Sequence, residues 1–132
     1  MSAQQALLRA IHARLLGEPL LAPLLAAGGI RDQSMPRSRL PALTYGEIDS
    51  RDYATATEPG EEHVLTLDLW SDAEGRAAAQ ALAAAVRASL HHAALTLTGA
   101  HLVSLICQGI KSRRDAESGL FVVEVSFRAV TE

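Results

Sequence analysis

The sequence has 132 residues, which is enough for a hydrophobic core without disulfides and predicts one domain. Hydrophobic residues make up 48% and charged residues 20%, as in ordinary globular proteins. The formal charge of −3 argues against a nucleic-acid-binding protein, which usually has a basic face. A single cysteine, Cys107, excludes an internal disulfide and a cysteine-cluster metal site. Without a long apolar run or a signal-peptide pattern, the chain is expected to be synthesised in the cytoplasm and to have no membrane partner.

The chain opens with a predicted helix over residues 3–16. Ser2 and Gln5 form a capping-box pair at its start, and Gly17 ends it because glycine can take the left-handed conformation. Its apolar stripe consists of Leu7, Leu8, Ile11 and Leu15. A short second helix is expected between residues 18 and 29, followed by an irregular crossing over residues 30–41.

Two strands are predicted next, over residues 43–49 and 63–70. The polar connection over residues 51–62 contains Pro59-Gly60, a turn signal, so the two strands are expected to form an antiparallel pair. In the second strand the side chains alternate, which is the pattern of a strand buried on one face. The inward residues are Leu65, Leu67 and Leu69.

An alanine-rich helix follows, ending near Leu90. Ser71 and Glu74 are spaced as a second capping box, which predicts the start of this helix. The small alanines allow the helix to lie close to a sheet. Helical spacing predicts a core side made of Ala78, Ala81, Leu82, Ala85, Val86, Ser89 and Leu90.

The C-terminal part predicts a short strand at residues 95–97 and a second strand pair. Residues 101–110 form one strand, residues 111–119 a charged connection, and residues 120–130 the clearest alternating strand in the chain. Its core side is Phe121, Val123, Val125, Phe127 and Ala129. The order predicts an α+β fold: a two-layer sandwich in which a mostly antiparallel four-stranded sheet has helices packed on one face.

The sequence contains no pattern that argues for catalysis, a cofactor or a metal. His91-His92, His101 and Cys107 could be considered as a zinc site, but adjacent histidines rarely point at one ion, and no second cysteine, Asp or Glu lies at ligand spacing. Histidines near a helix C-terminus are explained by the helix dipole. Nucleophile elbows, phosphate loops and dinucleotide glycine patterns are absent. We therefore expect a protein that is not an enzyme.

Charge is concentrated at the two predicted hairpin ends. One interpretation is that both ends are simply hydrated. The other is that they take part in head-to-tail contacts, because a ring brings together two different surfaces of neighbouring subunits. Glu47 and Asp49 flank the acidic end. The residues proposed for an oligomer or tube interface are Asp52, Glu58, Glu61, Glu62, Lys111, Arg113 and Arg114.

The order of short motifs along nearly the whole chain is similar to that of a known family. The motifs are Gly28-Gly29-Ile30-Arg31-Asp32, Pro36, Leu40-Pro41-Ala42-Leu43-Thr44, Leu67-Asp68-Leu69-Trp70-Ser71-Asp72 with Gly75, Leu95-Thr96-Leu97 with Gly99, Arg114-Asp115, Gly119 and Phe127-Arg128-Ala129. The strand that ends in Trp-Ser-Asp before a helix is the most specific of these. In this layout the chain resembles the tail-completion (tail terminator) proteins of long-tailed phages and gene transfer agents.

The resemblance implies one tail-terminator-like domain over residues 1–132 and a structural role in the virion. It implies a six-membered ring on the finished end of the tail tube, at the head–tail junction. There the ring would end tube polymerisation, contact the tube protein and the head-completion or neck protein, and let DNA pass without sequence-specific binding. Two alternatives stay open: a head-side neck or connector protein of the same kind of particle, and a small cytoplasmic enzyme or ligand-binding domain.

Overall fold

The computed structural model describes residues 1–23, 40–72 and 75–132. Within these ranges the chain forms two helices and four strands, and the predicted α+β class is confirmed. The predicted second helix and the crossing that follows it fall largely on residues 24–39, outside the described residues. The elements are α1 (Ala3–Leu16), β1 (Ala42–Asp52), β2 (Glu61–Ser71), α2 (Arg76–Leu90), β3 (Leu102–Arg114) and β4 (Phe121–Thr131).

The four strands form one fully antiparallel sheet in the order β1-β2-β4-β3. The two predicted hairpins are confirmed, and β2 joins β4 in the middle of the sheet. Asp52 is paired with Glu61, and Glu61 with Thr131, at one end of the sheet. Phe121 is paired with both Ser71 and Arg114 at the other end. The tips of the two hairpins therefore lie at opposite ends of the sheet.

Both helices lie on one face of the sheet, which we call the inner face. Helix α2 packs across β4, β2 and β3, and α1 packs beside α2. The alternation predicted for β2 and β4 is confirmed, since their inward residues are all buried. The opposite face, which we call the outer face, presents mainly polar side chains. The core includes Leu7, Ile11, Leu15, Leu43, Leu65, Leu67, Leu69, Leu82, Val86, Leu90, Leu105, Val123, Val125 and Phe127.

The capping box of α1 is confirmed. The Gln5 amide donates to the Ser2 hydroxyl at 3.1 Å, and the Ser2 amide donates to the Gln5 side-chain oxygen at 3.2 Å. The reason given for Gly17 was wrong, because its φ is −82°, in the right-handed region. Its amide hydrogen-bonds back to the carbonyls of Arg14 and Leu15, so the helix ends without a left-handed residue.

The start and the buried side of α2 differ from the sequence prediction. Ser71 is the last residue of β2, and the cap position is Gly75, which makes no side-chain cap hydrogen bond. Glu74, the other half of the predicted capping box, lies outside the described residues. Ala78 and Ala81 are exposed. The buried residues are Ala79, Leu82, Ala83, Val86 and Leu90. In so alanine-rich a helix, the large residues Leu82, Val86 and Leu90 determine which side is buried, and the alanines on that side are buried with them.

The strands also extend further than their hydrophobic patterns indicated. β3 continues through the charged residues Lys111–Arg114 because its pairing with β4 continues to the Arg114–Phe121 pair. The polar connection of the first hairpin shortens to residues 53–60 for the same reason. Residues 95–97 are not a strand in the structure. The added strand residues are set by backbone pairing with the neighbouring strand, which the polarity of the side chains does not indicate.

Candidate functional site: the charged outer face and hairpin ends

The structure separates the acidic and basic residues that the sequence singled out. Asp52, Glu58, Glu61 and Glu62 lie at the end of the first hairpin. The three basic residues lie at the opposite end of the sheet, where β3 meets β4. These four acids and three bases therefore do not contact one another within one subunit, and each group has its own surroundings.

Glu62 lies at the centre of an ion-pair ladder across three strands on the outer face. Its carboxylate contacts Arg51 on β1 at 2.5 Å and Arg128 on β4 at 2.6 Å. Hydrogen bonds first from Arg51 and then from Arg128 lower the pKa of Glu62. The Arg128 guanidinium in turn lies over the Tyr53 ring, 5.3 Å from its centre. Since the Glu62 side chain is only 7% exposed, this residue holds the sheet together rather than presenting a free charge.

Arg113 is also used within the subunit. Its guanidinium contacts Glu124 on β4 at 3.0 Å and Asp115 in the turn at 3.3 Å. Asp115 accepts hydrogen bonds from the amide and hydroxyl of Ser118 at 2.9 and 2.7 Å, and these bonds lower its pKa. The turn closes at Gly119, whose φ of +73° favours glycine. This hairpin end is therefore a built turn, in which Arg113 joins the strand pair to the tip.

The remaining candidates are exposed. Asp52, Glu58 and Glu61 at the acidic end, and Lys111 and Arg114 at the basic end, all have solvent-accessible side chains. The Arg114 guanidinium donates one hydrogen bond to the Gly119 carbonyl at 3.1 Å. Lys111 has no ion pair within the described residues. None of the five is paired with a described arginine, lysine or carboxylate, although Glu61 lies 3.8 Å from His63 Nε2, so they are the candidates for meeting another molecule.

Asp68 is a charged residue whose special position the sequence did not reveal. It lies on the outer face of β2, directly opposite Glu124 on β4 and Thr44 on β1. Burial, and then the charge of Glu124, raises the pKa of Asp68 to about 6 despite the opposing effect of Arg113. Among the described residues, no donor reaches its buried Oδ1 atom. Partly buried carboxylates with a raised pKa occur both at functional surfaces and in purely structural networks.

A second hidden group is His63, which is fully buried on the inner face. Its Nδ1 lies 2.6 Å from the Ser50 hydroxyl and its Nε2 lies 3.0 Å from the Thr131 hydroxyl. Gln4 of α1 donates to the same Ser50 hydroxyl at 2.9 Å. Burial lowers the pKa of His63, with Glu61 opposing. The group ties α1 to three strands and has no substrate-accessible role.

The other histidines do not form a metal site. His91 Nδ1 accepts the Cys107 amide at 2.9 Å, which fixes the end of α2 to β3. Burial, followed by the neighbouring charges of His92 and Arg87, lowers the pKa of His91. Its contribution at the helix end is thus a neutral hydrogen bond rather than the dipole interaction expected from sequence. No group of three or more possible metal ligands occurs in the described part of the chain. Nor does any described helix have the length and apolarity to cross a membrane.

Comparison with known proteins identifies the family. The model of the family described as tail completion protein gp17 matches residues 9–132, nearly the whole chain. The chain belongs to this family. A chain in the solved "Virion of native gene transfer agent (GTA) particle" is 30% identical, with a TM-score of 0.84. The match covers 99% of this chain and 98% of that one. No curated protein matches the chain.

Membership in the tail completion protein gp17 family confirms the predicted resemblance. The protein is a structural component of the virion, located at the end of the tail, and is not an enzyme. The alternative of a small cytoplasmic enzyme is thereby removed. The charged sheet surface is accordingly a candidate for assembly contacts rather than for chemistry.

Proposed function

We propose that this tail completion protein assembles as a ring, with six subunits as the expected number, on the finished end of the tail tube. In this position it ends tube polymerisation and offers a docking surface to the head-completion or neck protein. The observation that carries the proposal is the placement of opposite charges at opposite ends of one rigid sheet. A closed ring requires each subunit to present two different surfaces, and this arrangement supplies them.

DNA passes through the centre of the proposed ring without being read. The formal charge of −3 supports this part of the proposal, because a protein that binds DNA tightly neutralises phosphates with a basic surface. Three arginines on the outer face are already held in ion pairs, since Arg51 and Arg128 contact Glu62 and Arg113 contacts Glu124. A channel with few free cations lets DNA slide rather than adhere.

The contacts proposed with a neighbouring subunit or with the tube are made by the exposed members of the two charged ends. These are Asp52, Glu58, Glu61, Lys111 and Arg114, while Glu62 and Arg113 hold the local structure. An exposed ion pair contributes no more than about 1 kcal/mol, but such pairs steer partners and select among them. Assembly should therefore weaken as ionic strength rises.

Removing the gene tests the proposed role. Particles from the deletion strain should show tails of abnormal length that are not joined to filled heads, and the gene supplied in trans should restore them. Tails of normal length that carry no heads would favour a head-side neck position. Normal tails attached to filled heads would refute the proposal altogether.

A charge reversal tests the proposed contact residues. Lys111→Glu with Arg114→Glu should block complementation of the deletion strain, whereas Arg87→Glu on the exposed side of α2 should complement fully. Arg113 is left unchanged because its reversal would break the Glu124 pair and disturb the fold. Normal joining by the double variant would mean that the basic hairpin end is only a solvated tip.

A further inference from the structure

We propose that neighbouring subunits join by pairing the β3 edge of one sheet with the β1 edge of the next. This proposal rests on the ring proposed above and names the surface through which it closes. β1 and β3 are the two outer strands of the sheet, and no described strand pairs with their free edges. They are 11 and 13 residues long, and free strands of this length are a ready template for another chain.

Strand direction permits this pairing around a closed ring. Every neighbouring pair in the order β1-β2-β4-β3 is antiparallel, so β3 runs antiparallel to β1. When a copy is placed beside the sheet by rotation, β3 of one subunit meets β1 of the next with the same antiparallel sense. The four-stranded unit can thus repeat without interrupting the alternation, and closure of a sheet is what removes its free edges.

The two edges also carry opposite charge. β1 contains Glu47, Asp49 and Asp52 with one arginine, whereas β3 contains Lys111, Arg113 and Arg114 and no acid. A heterologous joint between a β1 edge and a β3 edge is therefore attractive. Two copies of the same edge would repel each other, which disfavours a two-fold joint of β1 with β1 or β3 with β3.

A single register satisfies two of these charge pairs. If Asp49 lies opposite Lys111, antiparallel counting places Glu47 opposite Arg113, which keeps its pairs with Glu124 and Asp115 within its own subunit. Asp49 pairs with Val64, which lies opposite Arg128, whereas Lys111 pairs with Glu124, so both side chains belong to the outer face. In the same register Arg51 lies opposite Gly109, which has no side chain to repel it. The bulge between Tyr45 and Ile48 turns this part of β1 and leaves Glu47 exposed.

This register requires the neighbouring sheet to be displaced along the strands. Within one subunit, Lys111 pairs with Glu124, Glu124 with Asp68, and Asp68 with Thr44, so Lys111 and Thr44 lie in the same row across the sheet. Asp49 pairs with Val64, which lies four positions from Asp68 on β2, so the displacement is about 13 Å at roughly 3.3 Å per residue. Strands tilted by about 35–45° in a closed sheet displace each four-strand unit by about 13–19 Å. The displacement that aligns the charges thus falls at the lower end of the range that closure of a tilted sheet requires.

Disulfide trapping tests the register. Asp49→Cys with Lys111→Cys, in a Cys107→Ser background, should give a ladder of linked subunits under mild oxidation. The matched control is Asp52→Cys with Lys111→Cys, since Asp52 pairs with Glu61 on the inner side of the sheet and is out of register. Both pairs are exposed, so neither should affect folding. The measurement is made on purified particles and on oligomers of the full 14.0 kDa chain isolated by size exclusion.

A charge exchange gives a second readout by light scattering. Lys111→Glu should raise the concentration for half-assembly about fivefold to tenfold, and adding Asp49→Lys should restore it. If no oligomer exists in solution or in particles, the proposed ring itself fails. If oligomers form but the 49–111 pair does not link, or the control pair links equally well, the ring stands and the edge pairing is wrong.

Discussion

Replacing Asp68 with asparagine should stabilise the protein at neutral pH. Asp68 faces Glu124 across the strand pair, and no described donor reaches its Oδ1 atom. Asparagine keeps the shape, removes the like-charge repulsion and brings an amide donor toward the Glu124 carboxylate. The neighbouring Arg113–Glu124 pair stays in place because the substitution does not touch it.

The size of the effect follows from the pKa of Asp68, which burial and Glu124 raise from 3.8 to about 6. That difference corresponds to about 3 kcal/mol for the ionised form. Solvent screening at this partly exposed site reduces the expected gain to about 1–2 kcal/mol. Between about pH 4 and pH 6 the folded protein holds a proton that the unfolded chain has released, so the penalty grows as pH rises through this window. Above the window it is fully present.

Urea unfolding at pH 7.5 and pH 4.5 measures this effect. The free energy of unfolding of Asp68→Asn should exceed that of the wild type by about 1–2 kcal/mol at pH 7.5. At pH 4.5 the difference should be less than about half of that. The control Asp49→Asn, an exposed acid on the same face, should change stability by no more than about 0.5 kcal/mol at either pH. A destabilised Asp68→Asn variant, or a gain independent of pH, would refute the reasoning and indicate that the carboxylate has a favourable partner.

Three further substitutions test the structure. Burial lowers the pKa of His63, so the free energy of unfolding should fall as the pH drops below about 6.5. In urea unfolding at pH 7.5 and 5.5, His63→Gln should remove the part of this pH dependence that the histidine causes. A Cβ atom at Gly46 would clash with the Thr66 hydroxyl, so Gly46→Ala should destabilise the protein by about 1–3 kcal/mol. In thermal melts, adding Thr66→Ala should recover most of that loss, and an equal loss in both backgrounds would contradict the contact. The Trp70 indole donates to the Thr44 hydroxyl at 2.8 Å, so Trp70→Phe should cost about 0.5–1.5 kcal/mol, and a double-mutant cycle with Thr44→Val should show coupling.

The fold could be predicted from the sequence where one side of a helix or strand is clearly apolar. The inward residues of β4 from Val123 to Ala129 alternate with Glu124, Ser126 and Arg128, as expected for a sheet covered by helices on one face. The buried side of α2 was partly wrong, because exposed and buried alanines look the same in a sequence. Only the positions of Leu82, Val86 and Leu90 distinguish the sides of that helix.

For the candidate site, the sequence predicted only where charge is concentrated. Sequence located the acids and bases, but the partner of each depends on strands that are distant along the chain. Glu62 is buried because Arg51 and Arg128 meet it from two neighbouring strands. Arg113 is engaged because the β3–β4 register brings Glu124 beside it. Asp68 appeared in the sequence only as part of the motif at residues 67–72, and its raised pKa could not be foreseen because it arises from burial and from the same Glu124.

Imaging of intact particles, with this subunit located in the density, tests the proposed role most directly. We expect a closed ring of copies of this chain at the end of the tail tube that faces the head, with an open channel on its axis. Copies distributed along the tube, a position inside the head, or a single copy at the junction would contradict the proposed function.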